Sequence, residues 1–185
     1  MNGTAKGISV SSTGNDVHVR VVGRGTFQNG QPLRRYATDM LTRGCDQFFV
    51  DLSQCQGMDS TFLGVLAGIG LRLGQSGKIH VVNVSSRNME LLQTLGLDRL
   101  FDVNITGRDH TNHAFPTETG FQMLPESDMT EAARRLNKHD TANFMLDAHN
   151  DLVKADPRNA PKFQDLTRFL REKVDNQSPN QKPPA

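Results

Sequence analysis

The chain has 185 residues, enough for one ordinary domain with an appendage but cramped for two unrelated ones. Lys and Arg number 21 against 20 Asp and Glu, a formal net charge of +1, so no global field favours nucleic acid or an anionic membrane, and protein partners are expected instead. Aromatic residues are 10 Phe, one Tyr and no Trp, too few for a base-stacking platform, and no apolar run approaches the roughly 18 residues of a membrane span.

The first residues, MNGTAKGIS, lack a signal-peptide core, so a cytoplasmic protein without membrane insertion is expected. Residues 1–15 are rich in Gly, Ser, Thr and Asn and read as a weakly ordered lead-in or an edge strand through Ile8 and Val10. Val17, Val19, Val21 and Val22 alternate with His18 and Arg20, the signature of a half-buried strand. Gly23, Gly25, Asn29 and Gly30 then mark a turn, Pro32 suits the first turn of a helix, and Leu33, Tyr36, Ala37, Met40 and Leu41 carry that helix to a stop at Gly44.

Phe48, Phe49, Val50 and Leu52 form an apolar run of strand length. Cys45 and Cys55 flank it near its opposite ends, too far apart for a disulfide, and read as buried free thiols. After a polar turn, Phe62, Val65, Leu66, Ile69 and Leu73 recur at the spacing of one helical face. Asp59, Ser60 and Thr61 stand where that helix begins and are the residue types whose side-chain oxygens cap a helix start. A hydroxyl at such an end meets free amides and a partial positive charge, surroundings that accommodate a phosphate.

Lys78 to Val84 is a further strand. Ser85 and Ser86 cap a short helix carrying Met89, Leu92 and Leu95, Gly96 ends it, and Leu100, Phe101 and Val103 form a last short strand. Strand and helix alternating at this pitch predict an α/β domain over residues 1–105 with part of its sheet parallel. Residues 106–125 lose periodicity and read as a linker. Over 126–175, Leu136, Met145, Ala148 and Leu152 give one helical stripe, Pro157 and Pro161 break the chain, and Phe163, Leu166, Phe169, Leu170 and Val174 give another, which predicts a helical hairpin. Its apolar residues are too many for two isolated helices to cover. The hairpin therefore packs on the first domain or exchanges between chains into a homodimer, the intramolecular case being preferred. Residues 176–185 are polar and Pro-rich and are expected to be a disordered tail.

Several motifs are set aside on physical grounds. Gly68, Gly70, Gly74 and the Gly77-Lys78 pair lie inside a helix or at its exit, where the dipole is negative, so they suit close helix-to-sheet packing rather than a phosphate loop. His110 and His113, in HTNH, lack the rigid third ligand of a zinc site, and no cofactor or metal is expected. His139 and His149 read as surface residues. Ser60 beside Asp59 supplies a nucleophile without a complete base and orienting group, so no enzyme is expected.

Asp51-Leu52-Ser53 at the strand end, Asp59-Ser60-Thr61 at the helix start, Leu63-Gly64 just after, and Gly96-Leu97-Asp98-Arg99-Leu100-Phe101 resemble the STAS family, the sulfate-transporter and anti-sigma-factor-antagonist domains, over residues 8–105. The resemblance implies a mixed sheet of four or five strands with helices mainly on one face. It also implies that Ser60 is phosphorylated by an anti-sigma factor serine kinase and restored by a serine phosphatase. The unphosphorylated protein would bind that kinase and release a sigma factor, with Asp59, Thr61, Phe62 and Gly64 at the contact. Phe62 stands where the family often has Gly and is a partner contact or a core anchor, the former preferred. The family's acidic residue after the first glycine turn is replaced by Gly25-Thr26-Phe27-Gln28-Asn29, and the hairpin lies outside the common domain. The alternatives are an accessory subunit of a membrane transporter, such as a lipid-transport complex, in which the same helix face grips an ATPase and phosphorylation is irrelevant, or a stressosome-type scaffold without enzymatic activity.

Overall fold

In β2, Asp16–Gly25, every second side chain falls on one face, and Val17, Val19 and Val21 are buried there. The structure, a computed structural model, describes residues 6–105, 120–125 and 138–175. Among them β2 is preceded by β1, Gly7–Thr13, and followed by α1, Phe27–Thr42, β3, Gln47–Asp51, β4, Cys55–Met58, and α2, Ser60–Leu73. Then come β5, Lys78–Val84, α3, Ser86–Thr94, β6, Asp102–Ile105, and β7, Gln122–Met123. Two further helices, α4, Lys138–Ala155, and α5, Ala160–Asp175, are joined by a short 3-10 turn, Pro157–Asn159.

The strand order is β6-β5-β3-β2-β1-β7, with β4 pairing the far end of β2. β2, β3, β5 and β6 run parallel, as strand–helix alternation requires, while β1 and β7 add antiparallel pairs. Phe48, Val50, Ile79 and Val81 extend the buried face of β2 and share one core with Leu33 and Ala37 of α1 and Phe62 and Leu66 of α2. Asp51 fastens the end of β3: its Oδ1 accepts from the Ser53 N–H and from Asn83 Nδ2, each at 2.9 Å.

Several expectations are corrected. β1 is an interior strand, paired on both sides, with Ile8 and Val10 buried. The end of the expected linker supplies β7, which forms the sheet edge beside it. The turn before α2 contains β4, a strand whose four residues are too few to show a period. The helix expected from Pro32 begins at Phe27, because Asn29 Oδ1 accepts from the Thr26 N–H and closes its first turn, leaving Pro32 inside. Leu100 and Phe101 precede β6 rather than forming it. Cys45 and Cys55 are free and buried, as expected.

The hairpin docks within its own chain. α4 lies against α1 and α2: Phe144 reaches Gly30, Arg34 pairs with Asp147 at 2.9 Å, and Leu152 is fully buried. At the hairpin's tip, the buried Asn159 donates through Nδ2 to the carbonyls of Leu95 and Leu152, each at 2.9 Å. Asp156 accepts from Arg99 and Arg158, and Lys162 donates to the Thr94 carbonyl. A Cβ at Gly96, whose φ is +70°, would strike the Asp156 carboxylate, so the glycine admits the tip as well as the turn. α5 packs on α4, and its Thr167 and Leu170 are buried, while Phe169, placed on the apolar stripe by the sequence, is 53% exposed. The expected hairpin start and the 176–185 tail lie outside the described residues.

Candidate functional site

The start of α2 is held by one carboxylate. The Asp59 N–H donates to the Gly25 carbonyl at 2.9 Å, which places the side chain between two helix starts. Its Oδ1 accepts from the Phe62 N–H at 2.8 Å, capping α2, and its Oδ2 accepts from the Phe27 N–H at 2.9 Å, the first residue of α1. A single charge thus satisfies amides at the positive ends of both helices.

Ser60, the first residue of α2, is half-buried and points to α4. Its Oγ lies 2.9 Å from Nε2 of His149. The other ring nitrogen, Nδ1, is 2.7 Å from the Met145 carbonyl oxygen. A carbonyl only accepts, so Nδ1 carries the proton and Nε2 of the neutral ring accepts from the Ser60 hydroxyl. His149 is 0% exposed, with Phe163 edge-on at 4.9 Å. Burial pushes its pKa below the usual histidine value, against the Met145 carbonyl and the Asp59 charge, which pull it upward. The surface position expected for His149 is therefore overturned. It falls on the stripe of Met145, Ala148 and Leu152, four residues after Met145, and a polar group on such a stripe signals a buried partner.

The other expected site residues are beneath this pair. Thr61 is 3% exposed and Phe62 is 0% exposed, so of the two readings of Phe62 the structure shows the core anchor. Its ring fills the space above Gly25, where an added Cβ would come within 2.6 Å of it. Gly64 faces α4, and a Cβ there would overlap the Ala148 carbonyl. At Gly68 a Cβ would approach Asp151 Oδ2 at 2.5 Å. Gly64 and Gly68 thus serve helix-to-helix contact, where the sequence pointed to helix-to-sheet packing for Gly68, while Gly70 faces Leu100 and Phe101.

Chemically, Ser60 and His149 have the spacing of a nucleophile and its base. The group orienting the imidazole is a neutral carbonyl, however, which fixes the tautomer without stabilising a cationic ring as a carboxylate would. The Phe62 amide at the same helix end is already given to Asp59. The arrangement holds the Ser60 hydroxyl against a neutral imidazole. Among the described residues no group of three or more His, Cys, Asp and Glu could hold a metal ion, and no helix is long and apolar enough to cross a membrane. His110 and His113 lie outside the described residues.

A family model described as "Mlab, STAS domain" matches residues 8–103. Among solved structures, the chain is similar to the anti-sigma factor antagonist SpoIIAA in its unphosphorylated form, with 16% identity over 50% of this chain and 96% of that one and a TM-score of 0.43. It is similar to the phosphorylated Bacillus cell fate determinant SpoIIAA, with 18% identity over 54% of this chain and 92% of that one and a TM-score of 0.46. A putative anti-sigma factor antagonist from Thermotoga maritima gives 22% identity over 53% and 86% of the two chains and a TM-score of 0.48. No curated protein matches the sequence.

Proposed function

Because the chain belongs to the STAS family, matched over residues 8–103, we propose that it is a phosphorylation-switched protein-binding module of the anti-sigma factor antagonist type. Its partners in this reading are an anti-sigma factor serine kinase, bound when Ser60 is unmodified, and a serine phosphatase that removes the phosphate. The observation that carries the proposal is the contrast at the start of α2: Ser60 is half-buried and its hydroxyl is hydrogen-bonded to the His149 side chain, while Thr61 is sealed in the core. A phosphate on Ser60 adds about −1.5 to −2 charges beside Asp59 and repels a partner matched to a neutral hydroxyl. Incubation with such a kinase and ATP, followed by intact-mass and fragment analysis, tests it. One phosphate on Ser60 and none on Thr61 is expected, and phosphate on Thr61 or on neither residue refutes it.

One observation favours a second reading. The Ser60 hydroxyl already has a structural task in holding His149, so the same α2 could grip an ATPase subunit of a membrane transporter with no phosphate involved. Calorimetric titration separates the two. In the switch, Ser60→Asp weakens partner binding and Ser60→Ala preserves it, whereas the accessory-subunit reading gives both the same affinity.

A further inference from the structure

The α4–α5 hairpin covers the face of α2 that begins at Ser60, and the cover is built unlike the rest of the molecule. It contributes no strand to the sheet. α4 and α5 keep their own helical hydrogen bonds, and their described polar links to the remainder of the chain run through side chains: Ser60 to His149, Arg34 to Asp147, Arg99 to Asp156, Asn159 to the Leu95 carbonyl and Lys162 to the Thr94 carbonyl. Undocking breaks these and leaves every strand pair of the sheet in place.

The face beneath is shaped for a helix. Gly64 and Gly68 are one turn apart on α2 and open a shallow channel, in which the Ala148 backbone lies so close that even a methyl at Gly64 is excluded. The channel, met by the Ala148 backbone at Gly64 and by the Asp151 carboxylate at Gly68, requires a closely approaching helix to fill it. A protein partner addressing Ser60 and α2 meets that requirement only where α4 now lies, and a kinase that takes the Ser60 hydroxyl must break its hydrogen bond to His149.

We propose that the hairpin is a displaceable resident of the partner-binding face of α2, and that the partner replacing it presents a helix with a small residue over Gly64, as α4 presents Ala148. This rests on the reading of α2 and Ser60 given under the proposed function. In the docked state the hydroxyl is donated to His149 and withheld from the kinase. In the undocked state both the hydroxyl and the Gly64–Gly68 channel are free, so partner affinity is set by competition between two helices for one groove.

The test has two arms on the full chain. In the first, amide hydrogen exchange is followed by mass spectrometry in the unmodified protein and in Ala148→Arg, which wedges α4 from α2 without altering the first domain. The expected result is exchange in α4 and α5 ahead of β3 and β5, faster by at least about tenfold in the variant, with the strands still protected. Exchange of hairpin and strands in one step in both proteins overturns the proposal, with no kinase needed.

In the second arm Gly68→Cys and Asp151→Cys are combined. A Cβ at Gly68 would stand 3.7 Å from that of Asp151, within the span of a disulfide, and the native cysteines are buried. Oxidation should abolish phosphorylation of Ser60 by the kinase, and dithiothreitol should restore it. Equal phosphorylation of the oxidised and reduced forms overturns the cover. If neither form accepts phosphate, the phosphoacceptor reading fails, and the exchange arm decides the cover.

Discussion

Asp59 accepts from Phe62 of α2 and from Phe27 of α1, so it works at two helix ends where the sequence announced only one. The cap on α2 was legible because Asp-Ser-Thr before an apolar stripe is a local pattern. The bond to Phe27 joins residues 32 apart and leaves no local trace. Asp59→Ala removes the cap and strands both amides, at an expected cost of about 2 to 3 kcal/mol. Asp59→Asn keeps one acceptor but turns an amide toward the other N–H, so it should recover about half of that loss. Urea denaturation of both variants measures this, and equal stability of the Asp59→Asn variant and the wild type would show that the bond to α1 contributes nothing. Ser60→Ala leaves His149 Nε2 buried without its donor, with an expected loss of about 1 to 3 kcal/mol. Ser60→Thr, which keeps the hydroxyl, should lose less. His149 itself was misplaced by the sequence because a single histidine on a helix looks the same whether it faces water or a serine 89 residues away.

At the scale of elements, β2 was readable from its alternation, β3 and β5 from apolar runs of strand length, and α3 because Ser85 caps it and Gly96 stops it. β4 was not, since Cys55–Met58 takes its strand form from pairing with Gly23–Gly25, a tertiary contact. The second apolar face of α2 was hidden for a related reason. Glycines carry no hydrophobic signal, so the sequence assigned Gly68 to packing on the sheet and Gly64 to a partner contact, without a trace of the α4 that lies against both. A helix buried on two faces should be sensitive to deletions in whatever covers it. Leu152→Ala, at a fully buried position of α4, is expected to cost about 2 to 5 kcal/mol. Phe169→Ala, on the exposed face of α5, should change stability by less than about 0.5 kcal/mol, even though both residues sit on apolar stripes in the sequence. Thermal melts of the two variants settle it, and similar losses would mean that α5 has a further neighbour.

For the whole molecule, the hairpin joins the first domain through two titratable groups that act in the same direction. His149 has its pKa lowered from 6.5 by burial, so its neutral form is favoured in the folded state. Asp156 is held well below the usual carboxylate range, chiefly by its hydrogen bonds from Arg158 and with help from the Arg99 charge. A group whose folded pKa is depressed contributes stability above its unfolded pKa and loses that contribution as pH falls toward the folded value. The two windows are separate. His149 acts first, as pH falls through the region of its unfolded value of 6.5, and Asp156 only below the carboxylate value of 3.8. The groups facing His149 are the Ser60 hydroxyl and Asp59 charge of α2, the Met145 carbonyl of α4 and the Phe163 ring of α5, and of these only Asp59 carries a charge that favours a protonated ring. Protonation turns Nε2 from acceptor into donor and places a cation against Phe163, so acid should loosen the hairpin before it touches the sheet. The expectation is that the melting temperature of the wild type falls more steeply than that of His149→Gln between about pH 7 and about pH 5. Hydrogen exchange over the same range should show the loss in α4 and α5 while β3 and β5 keep their protection. Parallel pH profiles for the two proteins would mean that His149 does not couple the hairpin to the protons in solution.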